Sequence, residues 1–247
     1  MKLEILGSSS SGNCYLFKEG ESVLILECGI PFNKVKKALK WDISKVIGAF
    51  VSHEHGDHAK YIRQFTDSCI PVYASKGTLE AIGIESHNAI SFESMSKIRI
   101  NEWTICAFGT DHDSADPLGF IIEHPESGPI LFLTDATSLK YKFPMRFSHI
   151  LIEANYSHEI MQERILNGSF TVAQEERVKA SHMSIDNACK ILRNLDSVDL
   201  RNVVLIHLSD GNSNAEIFKK AAQEATPYCC VEIAEQDLEI EINKNPF

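Results

Sequence analysis

Three imidazoles and two carboxylates fall within six residues, His53-Glu54-His55-Gly56-Asp57-His58, just after the apolar run 46–51. Neutral imidazole and carboxylate are the donors that suit zinc, manganese or iron. Water on such an ion becomes a nucleophile near neutral pH, so the motif points to metal-assisted hydrolysis. Further candidate donors stand at the ends of other apolar segments. His112 follows 103–108, Asp135 follows 129–134, and His207 closes 203–207. In layered α/β architectures the loops at strand ends gather on one edge, where sites form, so residues this far apart in sequence can converge. A lone histidine at a strand end is usually a satisfied polar cap. The whole set has no comparable structural use.

The elements that must position these side chains are legible from pattern. Short apolar or alternating segments predict strands over 2–6, 14–17, 23–27, 45–51 and 71–74. Segments 98–100 with 103–108, and 118–123 with 129–133, predict two hairpins. Beyond them the pattern alternates, with strands over 149–153, 203–207, 231–233 and 238–242, and helices over 159–166, 185–195 and 215–225. Helices are also expected over 32–40, opened by Pro31, and 76–82. Strands first and αβ alternation afterwards imply an α/β fold, an αββα sandwich of two mixed β-sheets flanked by helices, formed as one domain by residues 1–247.

Composition bounds the function. With 44% hydrophobic and 23% charged residues, the chain has the make-up of a globular protein that buries a sizeable core. It contains no run of eighteen apolar residues and no signal peptide, so no membrane association is expected. Seven scattered cysteines, none in a C-x-x-C pair, fit reduced thiols and a cytoplasmic location. The net charge of −10 argues against a general nucleic-acid coat protein but permits a local basic patch, and bound divalent cations would offset charge at a site. Lys34, Lys36, Lys37, Lys40, Lys60 and Arg63 bracket the histidine motif and could meet phosphates.

The order and placement of His53-x-His55-x-Asp57-His58, His112, Asp135 and His207 resemble the metallo-β-lactamase superfamily of hydrolases over nearly the whole chain. The resemblance implies two divalent metal ions, zinc foremost, with manganese or iron as alternatives. It implies one ion on His53, His55 and His112, another on Asp57, His58 and His207, and Asp135 between them, with Asp57 also orienting the nucleophile. Glu54 is not a ligand in that pattern.

Three segments resemble one branch, the YycJ/WalJ-type nucleases. Gly7-Ser8-Ser9-Ser10-Ser11-Gly12-Asn13 is similar to that group's Gly/Ser loop, and its small residues would let backbone N–H groups face an anion. His112-Asp113-Ser114-Ala115-Asp116-Pro117-Leu118-Gly119 resembles a second motif, in which Asp113 and Asp116 shape the loop. Ser181-His182-Met183-Ser184 resembles a third, and also a segment of ribonuclease Z in which a histidine serves the scissile phosphate and a glutamate orients it. Glu153 occupies the matching strand, so Glu153 and His182 form a candidate catalytic pair alongside Asp57. The alternative is that His182 merely precedes a helix capped by Ser184. Ser10, Ser11, Asn13 and Ser209 are candidate substrate contacts.

The resemblance implies a dinuclear phosphodiesterase acting on nucleic acid, DNA before RNA, as an exonuclease of 5′ to 3′ polarity linked to DNA repair or metabolism. Only 71 residues, 136–206, separate Asp135 from His207, so the long insert of β-CASP nucleases is absent. Two alternatives stay open. One is a hydrolase of small cyclic phosphodiesters, thioesters or lactones; the Glu153–His182 pair argues for a phosphodiester within that range, since a lactonase would not need it. The other is a catalytically silent metal-binding scaffold, which has no physical need of Asp57.

Overall fold

The computed structural model describes residues 1–245; Pro246 and Phe247, the end of the expected 1–247 unit, lie outside the described residues. Two seven-stranded sheets pack face to face. The first comprises β1 (Lys2–Gly7), β2 (Cys14–Glu19), β3 (Ser22–Leu26), β4 (Val46–Phe50), β5 (Val72–Ala74), β6 (Ala89–Ser91) and β14 (Glu239–Glu241), in the order β14-β1-β2-β3-β4-β5-β6. The second comprises β7 (Lys97–Ile100), β8 (Trp103–Gly109), β9 (Leu118–His124), β10 (Gly128–Leu133), β11 (His149–Glu153), β12 (Asn202–Ile206) and β13 (Cys230–Ile233), in the order β13-β12-β11-β10-β9-β8-β7. Both sheets are mixed. β3 to β6 pair parallel and the rest of the first sheet antiparallel; β10 to β13 pair parallel and β7 to β10 antiparallel.

Alternation of side chains makes three cores. Leu3, Ile5, Tyr15, Phe17 and Phe50 face Trp103, Phe120, Phe132 and Leu151 between the sheets. The outer face of the first sheet buries Leu16, Ile25 and Ala49 under α1 (Phe32–Ala38) and α3 (Ile62–Thr66). The outer face of the second buries Leu131, Ile150 and Leu205 under α7 (Ile185–Leu195) and α8 (Ala215–Ala225). Helices outside, two sheets inside, is the expected αββα arrangement.

Boundaries differ where local backbone decides. The first helix stops at Ala38 because Lys40 and Trp41 take left-handed conformations (φ 51° and 68°). Besides α3 and a 3-10 turn over Ile43–Lys45, three elements were not expected: α2 (Gly56–Ala59), inside the histidine motif, β6, and α6 (Val172–Ser181). The four apolar residues of α6, Val172, Ala173, Val178 and Ala180, form no buried stripe to mark it. It does carry a capping box, with Thr171 and Gln174 each satisfying the other's backbone N–H. The remaining helices are α4 (Lys76–Ile82) and α5 (His158–Leu166). Among the described residues no helix is long and apolar enough to cross a membrane.

Candidate metal centre

The C-terminal ends of β4, β8, β10, β11 and β12 open on one edge of the sandwich, and each delivers a side chain there. β4 leads through Val51 and Ser52 into His53, and α2 then turns Asp57 and His58 inward from a four-residue helix whose N-cap is His55. His112, Asp135, Glu153 and His207 arrive from the second sheet. Two of these strand-end residues hold left-handed backbone, Asp135 at φ 41° and His207 at φ 54°. Strained non-glycine conformations of this kind persist where surrounding structure fixes them, commonly at functional sites.

The donors form two groups around one carboxylate, and a third, overlapping group joins Asp135 and His207 to Glu153 and His182. In the first, His55 Nδ1 and His112 Nε2 are 3.1 Å apart, with His53 Nε2 beside them. In the second, Asp57 Oδ2 lies 3.3 Å from His58 Nε2 and 2.9 Å from His207 Nε2. Asp135 divides its two oxygens between them. Oδ2 stands 3.8 Å from His53 Nε2 and 3.7 Å from His112 Nε2, whereas Oδ1 stands 3.4 Å from His58 Nε2 and 3.8 Å from His207 Nε2. Metal–ligand bonds of about 2.0–2.1 Å at tetrahedral angles separate ligand atoms by about 3.3–3.4 Å, close to these values. His53 Nε2 is buried without a hydrogen-bond partner, a lone pair aimed at nothing the protein supplies. The donor set therefore fits two divalent ions.

Charge in the site agrees. Burial holds His53 and His112 below the usual imidazole range, so both are neutral ligands in waiting. His58 and His207 are also buried, but nearby carboxylates, Asp135 foremost, outweigh that and hold both above the usual range. Asp57 and Asp135 are held well below the carboxylate range, because the surrounding imidazoles prevail over the cost of burial. The carboxylates thus create a demand for positive charge that metal ions would meet in place of protons.

Surrounding groups fix the donors. His112 Nδ1 donates to Ser181 O at 2.7 Å, leaving Nε2 for the site. Asn155 Nδ2 donates to His207 O at 3.0 Å. Glu27, fully buried at the end of β3 with φ 69°, accepts from Ser52 N at 3.3 Å and stands 3.5 Å from His58 Nδ1. Glu54 accepts from Ala115 N at 2.8 Å, tying the histidine motif to the His112 loop rather than offering a ligand. Gly29 touches the Asp57 backbone so closely that a Cβ there would sit 1.7 Å from Asp57 O.

Behind the donors, Glu153 is fully buried and accepts three hydrogen bonds. His182 Nδ1 donates to Oε1 at 2.6 Å, while Ala136 N and Met183 N donate to Oε2 at 3.1 and 3.2 Å. Although burial opposes it, the Glu153 carboxylate pushes the His182 pKa up to about 9. Ser184 does cap α7, accepting from Asn187 N, so the cap and the Glu153–His182 pair coexist.

The chain belongs to the metallo-β-lactamase superfamily. The family model described as the β-lactamase superfamily domain matches residues 30–208. Exodeoxyribonuclease YycJ of Bacillus anthracis is 22% identical over 237 residues, covering 91% of this chain and 88% of that protein. The crystal structure of the metallo-β-lactamase fold protein YhfI from Bacillus subtilis superposes with a TM-score of 0.75 at 18% identity, covering 97% of this chain and 98% of that one. Human tRNase Z, short form, shares the fold with a TM-score of 0.62 at 14% identity, over 98% of this chain and 99% of that one.

A cavity of about 440 Å³ opens over the metallo-β-lactamase donor cluster. Of the four candidate substrate contacts, Ser10 lines it. Ser11, Asn13 and Ser209 do not. Asn13 is fully buried because its Nδ2 serves the site from behind, 3.2 Å from both Asp57 O and His58 Nε2. Ser9 Oγ accepts from Ser11 N at 3.2 Å, and Ser11 is exposed; Ser209 N donates to Asn155 O at 3.0 Å. None of the six expected basic residues reaches the wall: Lys36 lies over Phe32 and Trp41, and Arg63 bonds Gly83 O. The far wall is made by Phe170, Gln174, Arg177 and Val178, at and within α6, which periodicity alone does not reveal. Glu27 and Asn155 were equally unmarked, although an acid closing an apolar strand is a usable signal.

Proposed function

We propose that this chain is a dinuclear metal-dependent phosphodiesterase that cleaves nucleic acid, as a DNA exonuclease. His53, His55 and His112 would hold one ion, Asp57, His58 and His207 the other, and Asp135 both. Two divalent ions, zinc, manganese or iron by the donor set, would when bound generate a nucleophile near neutral pH and neutralise charge on the phosphoryl oxygens.

The protein's own part falls to three residues. Asp57, which lines the cavity, accepts from and aligns the attacking water. His182 is not needed as a ligand and faces the cavity in its protonated form. It delivers a proton to the leaving oxygen. Glu153 fixes the ring so that Nδ1–H is always donated inward and Nε2–H is presented to substrate. The Glu153–His182 contact of 2.6 Å beside the donor cluster carries the reading, because a protonated imidazole fixed there both pairs with the anionic phosphoryl group, which a neutral lactone lacks, and protonates the departing alkoxide. The name of the Bacillus anthracis relative, an exodeoxyribonuclease, supports DNA as substrate.

The test is incubation of metal-loaded protein with end-labelled DNA and RNA ladders, beside bis-p-nitrophenyl phosphate and a lactone. Stepwise shortening of DNA is expected, and the position of the label gives the polarity. Turnover of the lactone with both nucleic acids and the diester untouched overturns the proposal, as does undiminished DNA cleavage by Asp57→Ala.

A further inference from the structure

The cavity wall opposite the donors is chemically unlike them. Among the described residues lining the cavity, Arg177 is the sole lysine or arginine. It stands on α6 four residues before Ser181, whose carbonyl holds His112, and Arg177 O accepts from Ser181 Oγ at 2.8 Å. Four residues at about 1.5 Å each place it about 6 Å along the helix from a contact to a metal donor, on the order of the spacing of neighbouring phosphates in one strand. The acidic neighbour Glu175 is occupied by Lys179 and by Gln162, and Arg177 itself is exposed on the cavity wall.

Phe170 joins it on the wall just before α6. One face of its ring is covered by the Arg164 guanidinium, 4.8 Å from the centroid. That guanidinium is itself fixed. Arg164 Nη1 donates to Asn212 Oδ1 at 2.6 Å and Nη2 donates to Ser169 O at 3.3 Å. The fit is close enough that a Cβ on Gly211 would stand 2.4 Å from Arg164 Nη1. Phe170 is therefore a braced ring on a cavity wall, tied through Arg164 to the loop that follows His207.

We infer that Phe170 and Arg177 form a subsite for the nucleotide next to the scissile phosphodiester. Phe170 stacks the base and Arg177 pairs with the neighbouring phosphate. The inference rests on the phosphodiesterase reading of the donor cluster and adds to it what the substrate must carry: a second phosphate and a base. A planar guanidinium matches two phosphate oxygens at once, and an aromatic face accepts any base, so the subsite would favour nucleic acid without reading its sequence.

The probe is a nucleoside 3′,5′-bisphosphate, which contains two phosphates and a base but no diester to cleave. Calorimetric titration of metal-loaded protein compares it with the nucleoside 5′- and 3′-monophosphates and with an abasic deoxyribose bisphosphate. The bisphosphate is expected to bind about 10- to 100-fold tighter than either monophosphate, the range of a charge-assisted hydrogen-bonded pair. Arg177→Ala should erase that margin and Arg177→Lys should keep part of it. Phe170→Ala should erase a margin of about tenfold over the abasic compound. Arg177 is exposed on a helix surface, so its removal leaves the packing intact. No bisphosphate margin in the native protein, or an unchanged margin in Arg177→Ala, overturns the inference. An Arg177-dependent margin in a protein that cleaves no nucleic acid upholds the subsite and sinks the nuclease reading instead.

Discussion

Replacing Glu27 by glutamine should weaken metal binding while sparing the metal-free protein. Glu27 is fully buried, yet its carboxylate has poor partners: Oε2 receives Ser52 N at 3.3 Å and lies 3.5 Å from His58 Nδ1, and Oε1 has none. A buried carboxylate so thinly satisfied is expensive for the fold. Its use is to hold His58 by Nδ1 so that Nε2 meets the ion, and to add negative charge behind that ligand. Loss of such a supporting partner typically costs 10- to 100-fold in metal affinity, about 1.4–2.7 kcal/mol. Glutamine keeps the shape and a carbonyl for Ser52 N but removes the charge. The metal-free variant should therefore match or exceed the native protein in urea, while its affinity, measured by chelator competition, falls by that factor. Unchanged affinity would refute the argument. So would a metal-free variant less stable by more than about 3 kcal/mol, the cost of breaking a productive buried pair.

Gly29→Ala should abolish loading of the second donor set, because the new methyl would stand 1.7 Å from Asp57 O and must displace that backbone; an ion count equal to native would contradict this. His182→Ala should lower kcat on a phosphodiester by roughly 10²- to 10⁴-fold with metal content unchanged; loss of an ion would make His182 a ligand. His149, buried far from the cavity with Nδ1 3.0 Å from Asn202 Oδ1, has its pKa pushed down by burial to about 4. Its unfolded form binds a proton that its folded form refuses between about pH 6.5 and 4, so its contribution is complete above that window and is lost as pH falls through it. Metal-free His149→Gln should accordingly lose about 2–3 kcal/mol less stability than the native protein between pH 7 and 4.5, measured by urea unfolding; parallel losses would exclude the assignment.

What could be read in the sequence was whatever repeats at short range. β11, α4, α7 and α8 have strong patterns, and His53 to His58 announces itself because ligands are crowded along a few residues. The paired Glu153 and His182 came from motif likeness, and their contact spans 29 residues that periodicity cannot bridge. Three things were hidden because they depend on tertiary placement. Asn13 was expected at the substrate but is turned inward by the close packing of its loop on Asp57. The lysines near the motif lie away from the cavity. Helix α6 has no buried stripe because it covers a cavity instead of a core.

The donors are drawn from both layers of the sandwich. His53, His55, Asp57 and His58 follow a strand of the first sheet, and His112, Asp135 and His207 follow strands of the second; each candidate ion would take ligands from both. An ion seated there acts as a rivet between the two halves of the fold, at an edge where His207 N to Ser8 Oγ and Leu118 N to Ser52 O are the neighbouring cross-links. At free ion concentrations 100 times the dissociation constant, each independent site would add about 2.7 kcal/mol to the whole chain. Scarcity of metal would then be felt as fragility before it is felt as lost turnover. The seam would loosen along that edge, and the protein would become prey to proteases in proportion to how starved of ions its surroundings are.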